Sequence, residues 1–218
     1  MSYKKIPNKN DKGIYFLFIF TLIFKHIYRY YYYRFIATLP IQHNLMDDFI
    51  SKRPEKIPFE LYSEYEDRPF HTCTRCGETL MDFDEGYHIA KIVKNGEAIF
   101  EYALCFSCHS GMISEFSSES RQTLENFYRE NMNPNLGFEG CALCDINRLE
   151  MQGDEYSIGA MCHGENMIDS FIICSSCMEK TNSLISAKTQ KIWDDFINEN
   201  FPGVPANALP SPGKLGVI

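Results

Sequence analysis

Apolar positions along this chain change period in the same way twice. From Tyr87 to Val93 the in-phase positions are Tyr87, Ile89, Lys91 and Val93. That alternation fits a strand, whose successive side chains point to opposite faces. Asn95-Gly96 follows, a pair that accepts the positive φ of a tight hairpin turn, and Ala98–Leu104 reads as the returning strand. The period then becomes helical, with apolar faces marked by Met112, Phe116, Leu124, Phe127 and Tyr128. The second passage has strands over Tyr156–Met161 and Met167–Ile173, with His163-Gly164-Glu165-Asn166 at the tip. Leu184, Ile185, Ile192, Trp193, Phe196 and Ile197 then return at helical spacing. Serines stand inside both helical stretches, Ser117/Ser118 in the first and Ser186 in the second. A serine oxygen caps a helix start well, so each stretch predicts a short helix, a break and a longer helix. Stripes of this kind are core-forming faces.

Cysteine spacing turns this likeness into a repeat. Of nine cysteines, eight fall into Cys-x-x-Cys pairs: Cys73/Cys76, Cys105/Cys108, Cys141/Cys144 and Cys174/Cys177. Cys76 and Cys105 have 28 residues between them, and Cys144 and Cys174 have 29. Phe127 lies 19 residues after Cys108 and Phe196 lies 19 after Cys177, while Glu130-Asn131 and Glu199-Asn200 match at the same offset of 69. Two units follow, 71–132 and 140–201, joined by a linker over 133–139. The single-residue difference between them is expected at a hairpin tip or a bulge.

Zinc takes four ligands in a tetrahedron and thiolate is a strong ligand for it. A Cys-x-x-Cys turn sets two sulfurs on one side of an ion, and a second pair brought close by a hairpin completes the shell. The expected ligand sets are Cys73, Cys76, Cys105, Cys108 and Cys141, Cys144, Cys174, Cys177, with two zinc ions per chain. Iron in a four-thiolate site is the alternative metal, distinguished by its colour. The order of knuckle, hairpin and a pair opening a helix resembles the treble-clef zinc finger. Cys73-Thr-Arg-Cys76-Gly77 looks like that family's knuckle, with Gly77 where the chain turns; Asp145 stands at the matching place in the second unit. The resemblance covers roughly 71–201 and implies an α+β fold of two tandem treble-clef-like zinc modules packed as a pseudo-symmetric pair. Their contact is expected through the Trp193/Phe196 and Phe127/Tyr128 helix faces. A four-thiolate shell is closed, so a structural role for the metal is expected, and metal binding supplies folding free energy that a unit of this size needs.

Other chemistry is thinner. Cys105-Phe-Ser-Cys108-His109 matches the attachment pattern of c-type haem, but the equivalent Cys174-Ser-Ser-Cys177 is followed by Met178. Cys162-His163 reads as a small buried cysteine, and otherwise as a fifth-ligand pair or a redox thiol. His71, His88 and His109 surround the first unit, yet four thiols make a histidine ligand unnecessary. No carboxylate spacing marks a general acid/base pair, and no phosphate-cradling Gly-rich loop or serine-nucleophile motif occurs.

Charge is unevenly distributed. The chain of 218 residues carries a net charge of −8. Residues 1–45 hold seven basic residues and one acid, leaving residues 46–218 near −14. Such acidity disfavours phosphate backbones, whose binding rests on Lys and Arg, and favours a basic protein partner. The apolar run Ile14–Phe24 has about half the ~20 residues of a membrane-spanning helix. Residues 1–45 read as translated upstream DNA with the true start at Met46, and otherwise as an anchor or export signal. Residues 46–70 form a lead-in arm, with its ELYSEYEDRPF stretch packed on the body. The Pro/Gly-rich tail, 202–218, cannot continue a helix. Paired thiols and one odd cysteine fit a reducing, cytoplasmic setting. The sequence thus points to a non-enzymatic zinc protein acting as a protein-interaction or adaptor module. A nucleic-acid-binding or transcription-related zinc protein, a redox- or zinc-responsive switch, and an enzyme merely braced by zinc are the other readings.

Overall fold

Two β-hairpins lie side by side in one sheet. The structure, a computed structural model, describes residues 55–201; the expectations for residues 1–45, the start of the lead-in arm and the tail over 202–218 lie outside the described residues. The strands are β1 (Glu55–Lys56), β2 (Tyr87–Lys94), β3 (Glu97–Cys105), β4 (Glu155–His163) and β5 (Asn166–Cys174). They form an antiparallel five-stranded sheet in the order β1-β5-β4-β2-β3. The helices are α1 (Phe106–Glu115), α2 (Ser118–Asn131), α3 (Ser175–Asn182) and α4 (Ala187–Asn200). The fold is therefore α+β, and the order hairpin, short helix, long helix occurs twice.

Local chemistry accounts for these elements. Both hairpin tips are two residues, Asn95-Gly96 and Gly164-Glu165, and Asn95, Gly96 and Gly164 have positive φ. The α1–α2 break falls at Phe116-Ser117, where Ser117 Oγ accepts from the Ser120 N–H; Ser186 Oγ does the same for Thr189 at the start of α4. Both caps stand where the sequence placed them.

The pairing of β2 with β4 is self-matching. Ala90 opposes Gly159, Tyr87 opposes Cys162, and Val93 opposes Tyr156. With an offset of 69, Ala90 and Gly159 are each other's equivalents, and the remaining pairs exchange on swapping the hairpins. Each hairpin also has a bulge at the same place, between Ile92/Val93 and Met161/Cys162. The extra residue of the second unit therefore lies neither at a tip nor at a bulge, contrary to expectation. It is Glu155, the first residue of β4, which pairs with Lys94 at the end of the ladder. Gly86 and Asp154 are 68 apart and make the matching turn bonds to Phe83 and Met151, whereas Tyr87 and Tyr156 are 69 apart. An insertion at the first position of a strand leaves the register beyond it unchanged, whereas one inside the strand would turn every following side chain to the other face.

The sheet is covered on both faces, with one core running through both hairpins. On one face Tyr102, Trp193 and Phe196 pack at tilted and edge-on angles, with Tyr102–Trp193 and Tyr102–Phe196 centroids at 5.9 and 5.6 Å, and Phe201 closes on Phe100 at 4.9 Å. The Phe171 ring lies over Gly159 where a Cβ would stand, so this strand position must stay bare. On the other face the lead-in arm packs through Ile57, Leu61 and Phe70, all buried. Lys91, read from sequence as an ordinary strand position, is 2% exposed there. Its Nζ donates to the Tyr62 and Glu60 carbonyls at 2.7 and 3.3 Å and pairs with Glu101 at 3.2 Å. A buried lysine thus fastens the arm to β2, and Arg148 does so for the second hairpin by pairing with Glu60.

Candidate metal centres

Each knuckle is a tight backbone loop laid against a strand. The Cys73 N–H donates to the Glu78 carbonyl and the Gly77 N–H to the Cys73 carbonyl, both at 2.8 Å; Cys141 and Asp145 make the matching bonds at 2.8 and 2.9 Å. Gly77 has φ 75° and Asp145 φ 61°, the left-handed turn that the sequence assigned to both positions. The Thr74 N–H then donates to the Ala103 carbonyl of β3 and the Ala142 N–H to the Ile172 carbonyl of β5, both at 2.8 Å. These bonds carry each knuckle to the end of its own hairpin, where the second cysteine pair opens α1 or α3.

Four sulfurs meet at each place. Cys73, Cys76, Cys105 and Cys108 have Sγ atoms all within 4.8 Å of one another, as do Cys141, Cys144, Cys174 and Cys177. Among the described residues these two groups are the clusters of potential metal-ligating side chains, and neither includes a histidine. A tetrahedron with metal–sulfur bonds of about 2.3 Å has edges near 3.8 Å. Cys144 and Cys174 Sγ stand 3.7 Å apart. All eight thiols are free, at spacings suited to a shared ion and too wide for disulfide bonds.

Backbone amides aim at the sulfurs. The Cys105 N–H donates to Cys73 Sγ at 3.3 Å, the Cys174 N–H to Cys141 Sγ at 3.4 Å, and the Cys108 N–H to Cys105 Sγ at 3.4 Å. Such bonds favour thiolate, as does the start of the helix. Burial raises the Cys174 thiol, but the Ser176 hydroxyl and the Cys177 amide outweigh it and bring it down to about 7. Burial, outweighing the donors around it, pushes Cys141 up to about 11. Burial and crowding by neighbouring sulfurs also raise Cys108 and Cys177. Four thiols gathered without a cation cannot all ionise cheaply, and a divalent ion is the species that would neutralise them. The donor set therefore fits a soft or borderline divalent metal, plausibly zinc.

Remaining candidates fall elsewhere. Cys162 is fully buried beside Tyr87, and burial pushes its thiol up to about 12. It belongs to neither cluster. His88 and His109 stack on each other with centroids 4.0 Å apart, and burial lowers His88 to about 4. His109 is thereby engaged, and Cys105 and Cys108 already converge with Cys73 and Cys76, an arrangement that disfavours haem attachment. His71 is exposed.

Two features escaped the sequence reading. The two capping serines are tied across the halves: the Ser117 N–H donates to Thr189 Oγ1 at 3.1 Å, the Ser186 N–H to Ser120 Oγ at 2.8 Å, and the two serine hydroxyls lie 2.8 Å apart. The signal was present, since Ser117/Ser186 and Ser120/Thr189 share the offset of 69. The linker also grips the second knuckle, with the Asn133 N–H on the Ala142 carbonyl at 2.7 Å and Asn133 Nδ2 on Asp145 Oδ1 at 2.9 Å. The chain matches no family model, no curated protein and no solved structure. Among the described residues no helix is long and apolar enough to cross a membrane.

Proposed function

We propose that the eight clustered cysteines hold two zinc ions, that the two halves are a duplicated treble-clef-like module packed about a pseudo-twofold axis, and that the pair acts as a non-enzymatic adaptor for a basic protein partner. The observation that carries the metal reading is the convergence of all eight sulfurs into two sets of four, each with its members within 4.8 Å. Four thiolates fill a tetrahedral shell and leave no position for substrate, which marks a structural site. Duplication is supported by the self-matching β2–β4 register, the two bulges at one offset and the reciprocal bonds of the two capping serines' amides. A knuckle followed by a hairpin and a helix-opening pair in each half supports the treble-clef likeness.

The adaptor role rests on charge. Residues 55–201 hold 11 lysines and arginines against 26 aspartates and glutamates, and each zinc tetrathiolate adds about −2. Such a surface steers basic partners and repels nucleic acid. Free thiols throughout fit a reducing compartment such as the cytoplasm.

Elemental analysis of the purified full chain tests the metal reading, with two zinc per chain expected. Coloured protein with iron, or none of either metal, sinks it. Salt-dependent binding to lysine-rich polypeptide with no shift of duplex DNA is the expected outcome for the partner class. The reverse preference overturns the adaptor reading in favour of nucleic-acid binding.

A further inference from the structure

We propose that the two metal sites form one cooperative unit, so that a chain holding one ion without the other is not a stable species. This rests on the reading of both clusters as metal sites. The reason is that each half is completed by the other. The first cluster sits at the end of β3, and the aromatic cover of β3 comes from the second half: Trp193 and Phe196 of α4 on Tyr102, and Phe201 on Phe100. The second cluster sits beside Ala142 and Asp145, and Asn133, immediately after α2, bonds to both. Lys180 of α3 lies over the Phe127 ring of α2 at 4.9 Å.

The caps make the dependence reciprocal. Ser120 and Thr189 have no exposed surface, and each accepts the amide that begins the other half's long helix. Unfolding the first half on loss of its ion would strip the Ser186 amide of Ser120 and strip β4 of β2, one of its two partner strands. It would also bare Trp193 and Phe196. Unfolding the second half would strip the Ser117 amide of Thr189, leave Tyr102 uncovered and free β2 along its inner edge. Either half-metallated state therefore retains one ion while exposing the apolar surface and unpaired amides of both halves. Binding of one ion organises the surface on which the other site is built, and linkage makes the effect equal in both directions.

Native mass spectrometry of the full chain across a zinc-buffered series tests this. Independent equal sites would put about half of the chains in the one-zinc form at half saturation. The expected one-zinc fraction is below about one tenth, with zero- and two-zinc forms exchanging directly. Cys76→Ser and Cys144→Ser, at the exposed cysteine of each cluster, are each expected to lose both ions rather than one. The paired change Ser120→Ala with Thr189→Ala, which touches no sulfur, is expected to raise the one-zinc fraction several-fold while both sites still fill at saturating zinc. A wild-type one-zinc form near its statistical share overturns the coupling, as does a single-cysteine variant that keeps one zinc and a native near-ultraviolet signal. Wild-type chain that takes up no zinc overturns the metal reading itself, and the coupling with it.

Discussion

The two cysteine-bearing halves agree wherever geometry is demanding and diverge wherever space has only to be filled. Knuckle amides, hairpin length, bulge, cap hydroxyl and sulfur positions coincide between them. The residues between do not. Leu124 of α2 corresponds to Trp193 of α4, His88 and His109 correspond to Ser157 and Met178, and the charged Lys91 corresponds to Ala160. Helix α4 buries Thr189, Trp193, Phe196 and Ile197, whereas α2 buries Ser120 and Leu124. Ligation and register tolerate errors of tenths of an ångström, while a core accepts many solutions that conserve volume and polarity. The second half's long helix is the main apolar brace, and the first half's hairpin is the anchor of the arm.

Metal removal should erase the difference between halves. Chelation of both ions is expected to abolish the cooperative thermal transition followed at Trp193, because structural zinc contributes on the order of 10 kcal/mol to small folds. A chelated chain that keeps a sharp transition breaks the claim that the two halves depend alike on metal. The braces come next. Trp193→Ala is expected to cost about 3–5 kcal/mol, and Leu124→Ala less, about 2–3 kcal/mol, in urea unfolding. Equal costs would remove the asymmetry between α4 and α2.

The arm gives a third comparison. Glu101→Gln takes the nearest carboxylate from buried Lys91 and should cost about 3 kcal/mol. It should also speed proteolysis within residues 55–70, whereas Ser170→Ala, at the matching place in β5, should do neither. At the turns, Gly77→Ala has free space around it, so the cost is that of its positive φ, about 1 kcal/mol. Asp145 holds the same conformation and adds its bond to Asn133, so Asp145→Gly should change stability by less than that. The smallest effects lie at the caps. Ser117→Ala and Ser186→Ala should each cost about 1 kcal/mol, and the double change less than their sum, because the two hydroxyls bond each other. Strict additivity would separate the two helix starts.

Legibility followed the range of the interaction. The hairpins, the breaks between helices, the capping serines and the left-handed turns at Gly77 and Asp145 depend on neighbours a few residues away, and all were readable. The sulfur clusters are long-range, yet the Cys-x-x-Cys spacing and the repeat brought them within reach. Lys91 misled, because nothing local shows that an arm some thirty residues earlier supplies two carbonyls for its ammonium. The spacing predicts the extra residue of the second half at a tip or bulge, whereas the ladder keeps its register and takes the insertion as Glu155, at the first position of β4.

The chain by itself determined two sets of four thiols, the hairpin and helix that carry each set, and a strongly acidic body. Those follow from ligand chemistry, side-chain periodicity and charge count, which need no knowledge of distant contacts. Tertiary structure alone decided that β2 meets β4 in self-matching register, that β1 extends the sheet at β5, and that the amide of each capping serine is held by a hydroxyl of the other half. Those choices depend on which exposed edges and apolar faces find one another once the local elements exist, and many pairings share the same local pattern.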